Sequence, residues 1–211
     1  MEVNLFAALP WRIEDYQVDL QVSLDVPRLR MPRKKMTFTF KQPDKVHLKA
    51  TGFAMVPRRA LALSPDSILQ ELQNLTIAGD TLLDGRVCLI LRGVEKGPEN
   101  MTLTADVFVD HELWLLRGIT TYLEKNVLFR LETDYVEVAP GIHMPRETNL
   151  HFRIDERFIG AQSREPGSYD PDIQEPEFFN DLKDMTGEAS IVFSSYRVNM
   201  GIPDEFFSEE E

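Results

Sequence analysis

The chain has 211 residues, 43% of them apolar, and a formal net charge of -12. This length and apolar content predict a single domain, residues 1–211, with a sizeable core. The acidic balance argues against nonspecific nucleic-acid binding, because a polyanion repels a chain of the same sign.

The sequence leaves the cellular compartment open. Cys88 is the only cysteine, so a disulfide within the chain is excluded, but many exported proteins also lack disulfides. No apolar stretch is long enough to span a bilayer, and residues 1–9 lack the features of a secretory signal. We therefore expect either a cytosolic protein or a chain whose signal has been removed.

Alternating apolar and polar residues predict several strands in the first quarter of the chain. In a strand, such alternation places successive side chains on opposite faces of the sheet. The runs are residues 13–26, 35–41 and 45–50, with a turn at 42–44 between the last two. Residues 53–56 are expected to continue the same sheet.

One helix is predicted to follow. Ser64-Pro65-Asp66 has a hydroxyl N-cap, a proline at the first helical position and an acidic residue near the positive helix end. The apolar stripe of this helix consists of Ile68, Leu69, Leu72 and Leu75. After a turn at Asp84-Gly85, residues 86–94 are apolar on both faces, which predicts a strand covered on both sides.

Residues 102–154 predict about four further strands in an antiparallel meander, including a run through Leu113 and Leu115. Residues 161–185, whose first part is rich in Pro, Gly, Ser and Asp, predict a mobile loop insertion. The last strand is expected at 190–199, and Phe206-Phe207 is expected to pin the end of the chain to the body. The total is about ten strands and one or two helices, a mainly β (α+β) fold. Open sheets of this size curl, and the curled sheet would enclose an apolar trough.

Five ordered segments, between about residues 16 and 207, resemble the family of LolA-like periplasmic lipoprotein carriers, which includes LolB and the lipoprotein-like sensor RseB. Each motif alone is weak, and the ordered set carries the likeness. The segments are KQPDKV at 41–46, DGR at 84–86, VFVD and LWLLR at 107–117, GIHMP at 141–145, and YRVNMGIPDEFF at 196–207.

The resemblance implies an unclosed antiparallel half-barrel of about eleven strands, with one or two helices in the concave face. It also implies a monomeric, non-enzymatic carrier or chaperone in the periplasm or cell envelope that needs no cofactor. Its partners would be lipid, the acyl chains of lipoproteins, and a membrane-protein donor or acceptor. One position departs from the pattern, because Gln42 stands where these carriers have an arginine before the proline. The energy-coupled carrier cycle is therefore not implied.

With the strands registered on that turn, the resemblance implies a ligand cavity with ten candidate residues: Phe38, Phe40, Gln42, Val46, Leu48, Leu89, Leu91, Leu103, Val107 and Leu115. The alternative is an ordinary core that the protein fills with its own side chains.

Other functions remain as alternatives. The first is an envelope-stress sensor or protein-interaction module with the same fold and no lipid cargo. A metal site is conceivable at Asp106, Asp110, His111 and Glu112, although a polar hairpin turn explains the same residues. An enzyme is the least supported class, because the chain has no Gly-x-Ser-x-Gly elbow and no phosphate-binding glycine loop.

Overall fold

A computed structural model describes residues 13–27, 29–30, 33–50, 72–96, 101–153 and 185–207. Strands make up 77% of these residues. The strands are β1 (Asp15–Val26), β2 (Leu29–Arg30), β3 (Lys34–Lys41), β4 (Lys45–Ala50), β5 (Gln73–Leu83), β6 (Arg86–Lys96), β7 (Thr102–Asp110), β8 (Leu116–Leu123), β9 (Asn126–Ala139), β10 (Ile142–Arg153) and β11 (Thr186–Val198). A short 3-10 helix, Asp204–Phe207, follows β11. No helix within the described ranges is long and apolar enough to cross a membrane.

All of these strands belong to one antiparallel sheet. Ten of them form a single path in the order β4-β3-β1-β11-β10-β9-β8-β7-β6-β5, and β2 pairs with β1. The sheet is not closed into a barrel, because β4 and β5 form its two separate edges. The predicted unclosed antiparallel sheet of about ten strands is therefore confirmed.

The region around β5 corrects one sequence prediction. The predicted helix from Ser64 extends through Leu75, but Leu75 lies in β5, where 40% of its side chain is exposed. Asp84 and Gly85 adopt positive φ values of 48° and 78°, so the chain reverses there and the residues before the turn pair with β6. The spacing of Leu72 and Leu75 resembled a helical stripe only by coincidence. The earlier part of that helix, the strand at 53–56 and nearly all of the loop at 161–185 lie outside the described residues.

Three further strand predictions need adjustment. β6 is buried on both faces in its middle, where Cys88 (fully buried) and Leu91 (5% exposed) lie on opposite faces, but the predicted coverage does not reach the hairpin, where Val87 is 53% exposed. Leu113 and Leu115 lie in a loop rather than a strand, since Asp110 accepts hydrogen bonds from the backbone of Glu112 and Leu113 and stops the pairing. The last strand begins at Thr186 and ends at Val198, because β11 pairs with β10 over that additional length.

The two faces of the sheet differ in chemistry, as the alternation predicts. Directly paired residues lie on the same face. From β6 to β1, one row of paired residues is apolar: Leu91, Val107, Ile119, Leu131, Leu150, Ala189 and Leu24. The neighbouring row on the other side is polar: Arg92, Asp106, Thr120, Arg130, His151, Glu188 and Asp25. We call these the apolar face and the polar face.

The C-terminal segment is held mainly by Asp15. Its buried carboxylate accepts hydrogen bonds from the backbone N–H groups of Met200, Gly201 and Ile202, at 2.7, 2.8 and 3.0 Å. The predicted pinning by Phe206 is present as an edge contact with the ring of His47, at 4.9 Å between centroids. The buried side chain of Ile202 and the Asp15 carboxylate therefore share this anchoring role with the aromatic pair.

Candidate functional site

Buried side chains of the apolar face form two end patches, one on each side of the centre of the sheet. The first end patch lies on β1 and β3 and consists of Val18, Leu20, Met36 and Phe38. The second end patch lies on β6, β7 and β8 and includes Leu91, Val107, Val109 and Ile119. Each of these side chains is at most 6% exposed. Burial of this kind stabilises the fold, because apolar surface is removed from water.

The structure distributes the predicted cavity residues between these patches. Phe38, Phe40 and Leu48 belong to the first end patch or pack against it, and Leu89, Leu91 and Val107 do the same at the second. Leu103 lies in a neighbouring buried cluster with Leu123 and Leu128. Leu115 is buried in the loop before β8, whereas Val46 is 42% exposed on the edge strand β4. The predicted lining residues are therefore divided among three packed clusters, a loop and an edge strand.

Gln42 occupies the turn between β3 and β4 and is exposed. Its side-chain amide donates a 2.7 Å hydrogen bond to the carbonyl oxygen of Ile13, and its backbone N–H donates to the carbonyl oxygen of Glu14 at 2.8 Å. The peptide bond to Pro43 is cis. Gln42 therefore ties this turn to the start of β1, a neutral contact rather than a charged one.

Between the end patches lies a group of apolar side chains that are only partly buried. We call it the central strip, and it consists of Phe129, Leu131, Leu150, Phe152, Ala189 and Ile191 on β9, β10 and β11. Leu131 pairs with Leu150, and Leu150 pairs with Ala189, so the strip is continuous across three strands. None of these residues was among the ten predicted from the sequence, although Leu131, Leu150 and Phe152 follow the same alternation as the predicted ones.

Phe152 and Gly187 show how tightly one border of the central strip is packed. The two residues are paired across β10 and β11. A Cβ added at Gly187 would lie 2.5 Å from the Phe152 ring, which is closer than any ordinary contact. A glycine is therefore required here for the Phe152 ring to lie against the sheet. The Phe152 ring therefore packs directly against β11 at this border of the strip.

Aromatic side chains extend the first end patch. The ring of Tyr16 lies 5.4 Å from Phe40 and 6.4 Å from Tyr196, measured between centroids. The Tyr196 hydroxyl donates to the Pro145 carbonyl oxygen at 2.7 Å, and the Tyr135 hydroxyl donates to that of Leu116 at 2.8 Å. Burial raises the pKa of Tyr16 to about 12 and raises the pKa of Tyr135 and Tyr196 as well. These phenols are neutral at physiological pH and add contact area to the apolar face without adding charge.

The residues considered for a metal site are engaged by other partners. The Asp106 carboxylate accepts two hydrogen bonds from Arg92, at 2.6 and 2.7 Å. Asp110 accepts from the backbone of the following loop and lies 3.4 Å from Arg86. Within the described residues, no three His, Cys, Asp or Glu side chains converge on a common point. The polar hairpin explanation therefore fits these residues.

Comparison with solved structures identifies the fold. A protein of the DUF1329 family from Desulfovibrio piger is 14% identical, with 93% of this chain and 90% of that chain covered, at a TM-score of 0.54. An outer membrane lipoprotein-sorting protein domain from Vibrio parahaemolyticus is 8% identical, with 92% and 89% covered, at a TM-score of 0.55. A LolA superfamily protein from Nitrosomonas europaea is 8% identical, with 92% and 90% covered, at a TM-score of 0.47.

The first two likenesses show that this chain shares the fold of the DUF1329 protein and of the lipoprotein-sorting domain. The resemblance found in the sequence motifs is thereby confirmed at the level of the fold. No family model matches the chain, and no curated protein matches it.

Proposed function

We propose that the chain is a non-enzymatic carrier or chaperone that binds the acyl chains of lipids or lipidated proteins in the bacterial envelope. The apolar face of the open sheet would hold the chains, with the central strip as the accessible part and the end patches as flanking walls. The observation that carries the proposal is the partial exposure of six apolar side chains on three adjacent strands. The fold likeness to a lipoprotein-sorting domain supports it.

The energetics of such a site are favourable. An acyl chain gains about 0.8 kcal/mol for each methylene group that it buries. The rings of Phe129 and Phe152 and the branched side chains of Leu131 and Leu150 offer an apolar contact surface for it. Release would require a movement that exposes the chain again, and a membrane-protein donor or acceptor in the envelope would supply or accept the cargo.

The test is a binding measurement on two neighbouring positions of β10. Leu150→Gln places an amide in the central strip, whereas His151→Gln places the same group on the polar face, where His151 is exposed. Native mass spectrometry of the gently purified wild type should show bound acyl-chain ligands. Titration with a fluorescent fatty acid should give an affinity about tenfold lower or more for Leu150→Gln, because an unpaired amide is costly in apolar surroundings.

The control variant His151→Gln should bind with the affinity of the wild type. Thermal unfolding of both variants shows whether each is folded before its binding is interpreted. A wild-type protein that purifies without ligand and does not bind the fluorescent fatty acid contradicts the proposal. A defined protein partner retained equally by all three proteins would then support the interaction-module alternative.

A further inference from the structure

Strand β8 carries two neighbouring threonines whose hydroxyl groups are buried and unpaired. Thr120 is 2% exposed and Thr121 is 1% exposed. Neither Oγ1 atom has a hydrogen-bond partner among the groups that the structure places around it. A buried polar group without a partner destabilises a protein, and such groups are uncommon in native structures. Each of the two hydroxyls therefore requires an explanation.

The two hydroxyl groups lie on opposite faces of the sheet. Thr120 pairs with Asp106 and Arg130, which belong to the polar row. Thr121 pairs with Ala105 on one side and with Phe129 on the other, both on the apolar face. Thr121 thus directs its hydroxyl to the face that we propose for acyl chains, and its neighbour Phe129 is a member of the central strip.

Thr121 lies in a row of small, buried residues on the apolar face. Gly93, Ala105 and Thr121 are paired across β6, β7 and β8, so three small residues form one row. Larger side chains flank this row on both sides. The flanking residues are Leu91, Val107 and Ile119 on one side, and Glu95, Leu103 and Leu123 on the other. Leu72 fills the end at Gly93, where an added Cβ would lie 3.0 Å from the Leu72 Cβ.

We propose that the Thr121 hydroxyl donates a hydrogen bond to the carbonyl oxygen of an ester or amide at the head of a bound acyl chain. This inference rests on the proposed function, because it assigns the polar part of the same cargo. The Thr121 Oγ1 would fix the head at this row of small residues, and the hydrocarbon would extend past Phe129 along the central strip. Ligand sites of this kind combine an apolar lining with a few polar groups that set the orientation of the ligand.

The immediate neighbours of Thr121 favour a neutral carbonyl group over a charged head. Ala105, Phe129, Leu103 and Leu123 surround Thr121 on the apolar face, and none of them carries a charge. An ionised group placed among such side chains would lose its hydration without gaining a counterion. A single hydroxyl donor matches a single carbonyl acceptor, which is the one polar group that acyl esters and acyl amides share.

The test uses Thr121→Val, which replaces the hydroxyl with a methyl group of similar size, and Thr120→Val as the matched control on the other face. Methyl palmitate, N-methylpalmitamide and hexadecane compete with a fluorescent fatty acid for the wild type and both variants. We expect Thr121→Val to weaken the binding of the two carbonyl ligands about five- to tenfold and to leave hexadecane unchanged. Thr120→Val should leave the binding of all three ligands unchanged.

A second readout separates a binding role from a structural one. Both substitutions remove a buried unpaired hydroxyl, so both should raise the thermal midpoint of the unliganded protein. Weaker carbonyl binding in a more stable Thr121→Val protein therefore reports a lost hydrogen bond rather than damage to the fold. Thr121→Ser retains the hydroxyl and should keep most of the preference for carbonyl ligands over hexadecane.

The two carbonyl ligands distinguish the possible linkages. A loss for methyl palmitate alone assigns an ester, a loss for the amide alone assigns an amide, and a loss for both supports the shared chemistry. Unchanged affinity of Thr121→Val for both carbonyl ligands overturns this inference and leaves the proposed function intact. Failure of the wild type to bind any of the chain ligands overturns the proposed function itself.

Discussion

The end patches and the central strip of the apolar face are made of the same kinds of residue and are packed differently. Leu91 in the second end patch is 5% exposed, whereas Leu150, in the same row of the sheet, is only partly buried. Both alternate with polar neighbours in the same way along their strands. The comparison shows that one apolar face can divide its roles, with buried side chains in the two end patches and partly exposed ones in the central strip between them.

The largest expected effect comes from the same substitution in the two regions. Leu91→Ala removes a buried side chain and leaves a cavity, so it should reduce the free energy of unfolding by about 3 kcal/mol. Leu150→Ala removes a partly buried side chain and should reduce it by only about 1 kcal/mol, because less apolar surface returns to water. Urea denaturation of both variants measures the difference. Equal losses would show that the centre is packed as firmly as the ends.

Sequence patterns predicted the sheet well where alternation was regular. Seven strands lie near their expected positions: β1, β3, β4 and β7 to β10. An apolar residue at every second position can be buried on only one face of the sheet, so the pattern sets the position of the strand. β5 was missed because its register shifts twice, at residues 73–76 and 77–79. Asn74 and Gly79 have positive φ values of 54° and 141°, and such irregular backbone interrupts the pattern that alternation reveals.

The accessible part of the apolar face could not be predicted in the same way. Leu150 and Val107 have equivalent local sequence patterns, and only the elements that pack over a residue decide whether it stays exposed. Which elements pack over a residue depends on contacts between distant parts of the chain. Neither the hydrophobic periodicity of a segment nor its strand propensity reports such contacts. The unpaired hydroxyl of Thr121 is a similar case, since a threonine in a strand is ordinary until its neighbours across three strands are known.

The second prediction concerns the Asp15 carboxylate, which holds the segment after β11 beside the first end patch. Asp15→Asn replaces one carboxylate oxygen with an NH₂ group, which cannot accept the hydrogen bonds from Gly201 and Ile202. The buried N–H groups would lose their partner, and the free energy of unfolding should fall by about 2 kcal/mol. Hydrogen exchange at residues 200–202 should accelerate. Asp19→Asn on the same strand keeps an acceptor for Thr37 and should change stability by no more than about 0.5 kcal/mol.

The third prediction compares two arginines of the polar row behind these patches. Arg92 lies behind the second end patch and is 53% exposed at the side chain, but its partner Asp106 is only 7% exposed. Arg130 lies behind the central strip and is also 53% exposed, with a partner Glu132 that is 51% exposed. Arg92→Met leaves a buried carboxylate without its bidentate donor. Because solvent screens the exposed guanidinium, the expected loss is moderate. The substitution should reduce the free energy of unfolding by about 1 kcal/mol.

Arg130→Met breaks a pair that water surrounds on both sides, so its effect should be close to zero. Thermal unfolding at low and high salt measures both variants, and the loss in Arg92→Met should persist at high salt because Asp106 is shielded from the solvent. Equal losses of stability in the two variants would mean that ion pairs on the polar face contribute equally behind the second end patch and behind the central strip.

The smallest expected effect is a dependence on pH at the β4 edge, next to the first end patch. Lys41 and Lys45 contact the Asp204 carboxylate at 2.6 and 2.7 Å, and their hydrogen bonds lower its pKa to about 2. The ordinary value for an aspartate is about 3.9. The unfolded chain therefore takes up the proton first as the pH falls, so this contribution to stability is complete above about pH 4 and disappears towards pH 2.

Asp204→Asn removes the carboxylate and should give a flatter dependence of the thermal midpoint on pH between about 4 and 2 than the wild type shows. The difference should be small because Asp204 is largely exposed and solvent screens its two ion pairs. It should also be unaffected by Leu150→Ala, since the edge and the central strip are three strands apart in the sheet order. Coupling between the two substitutions would show that the end of the sheet and its centre respond as one unit.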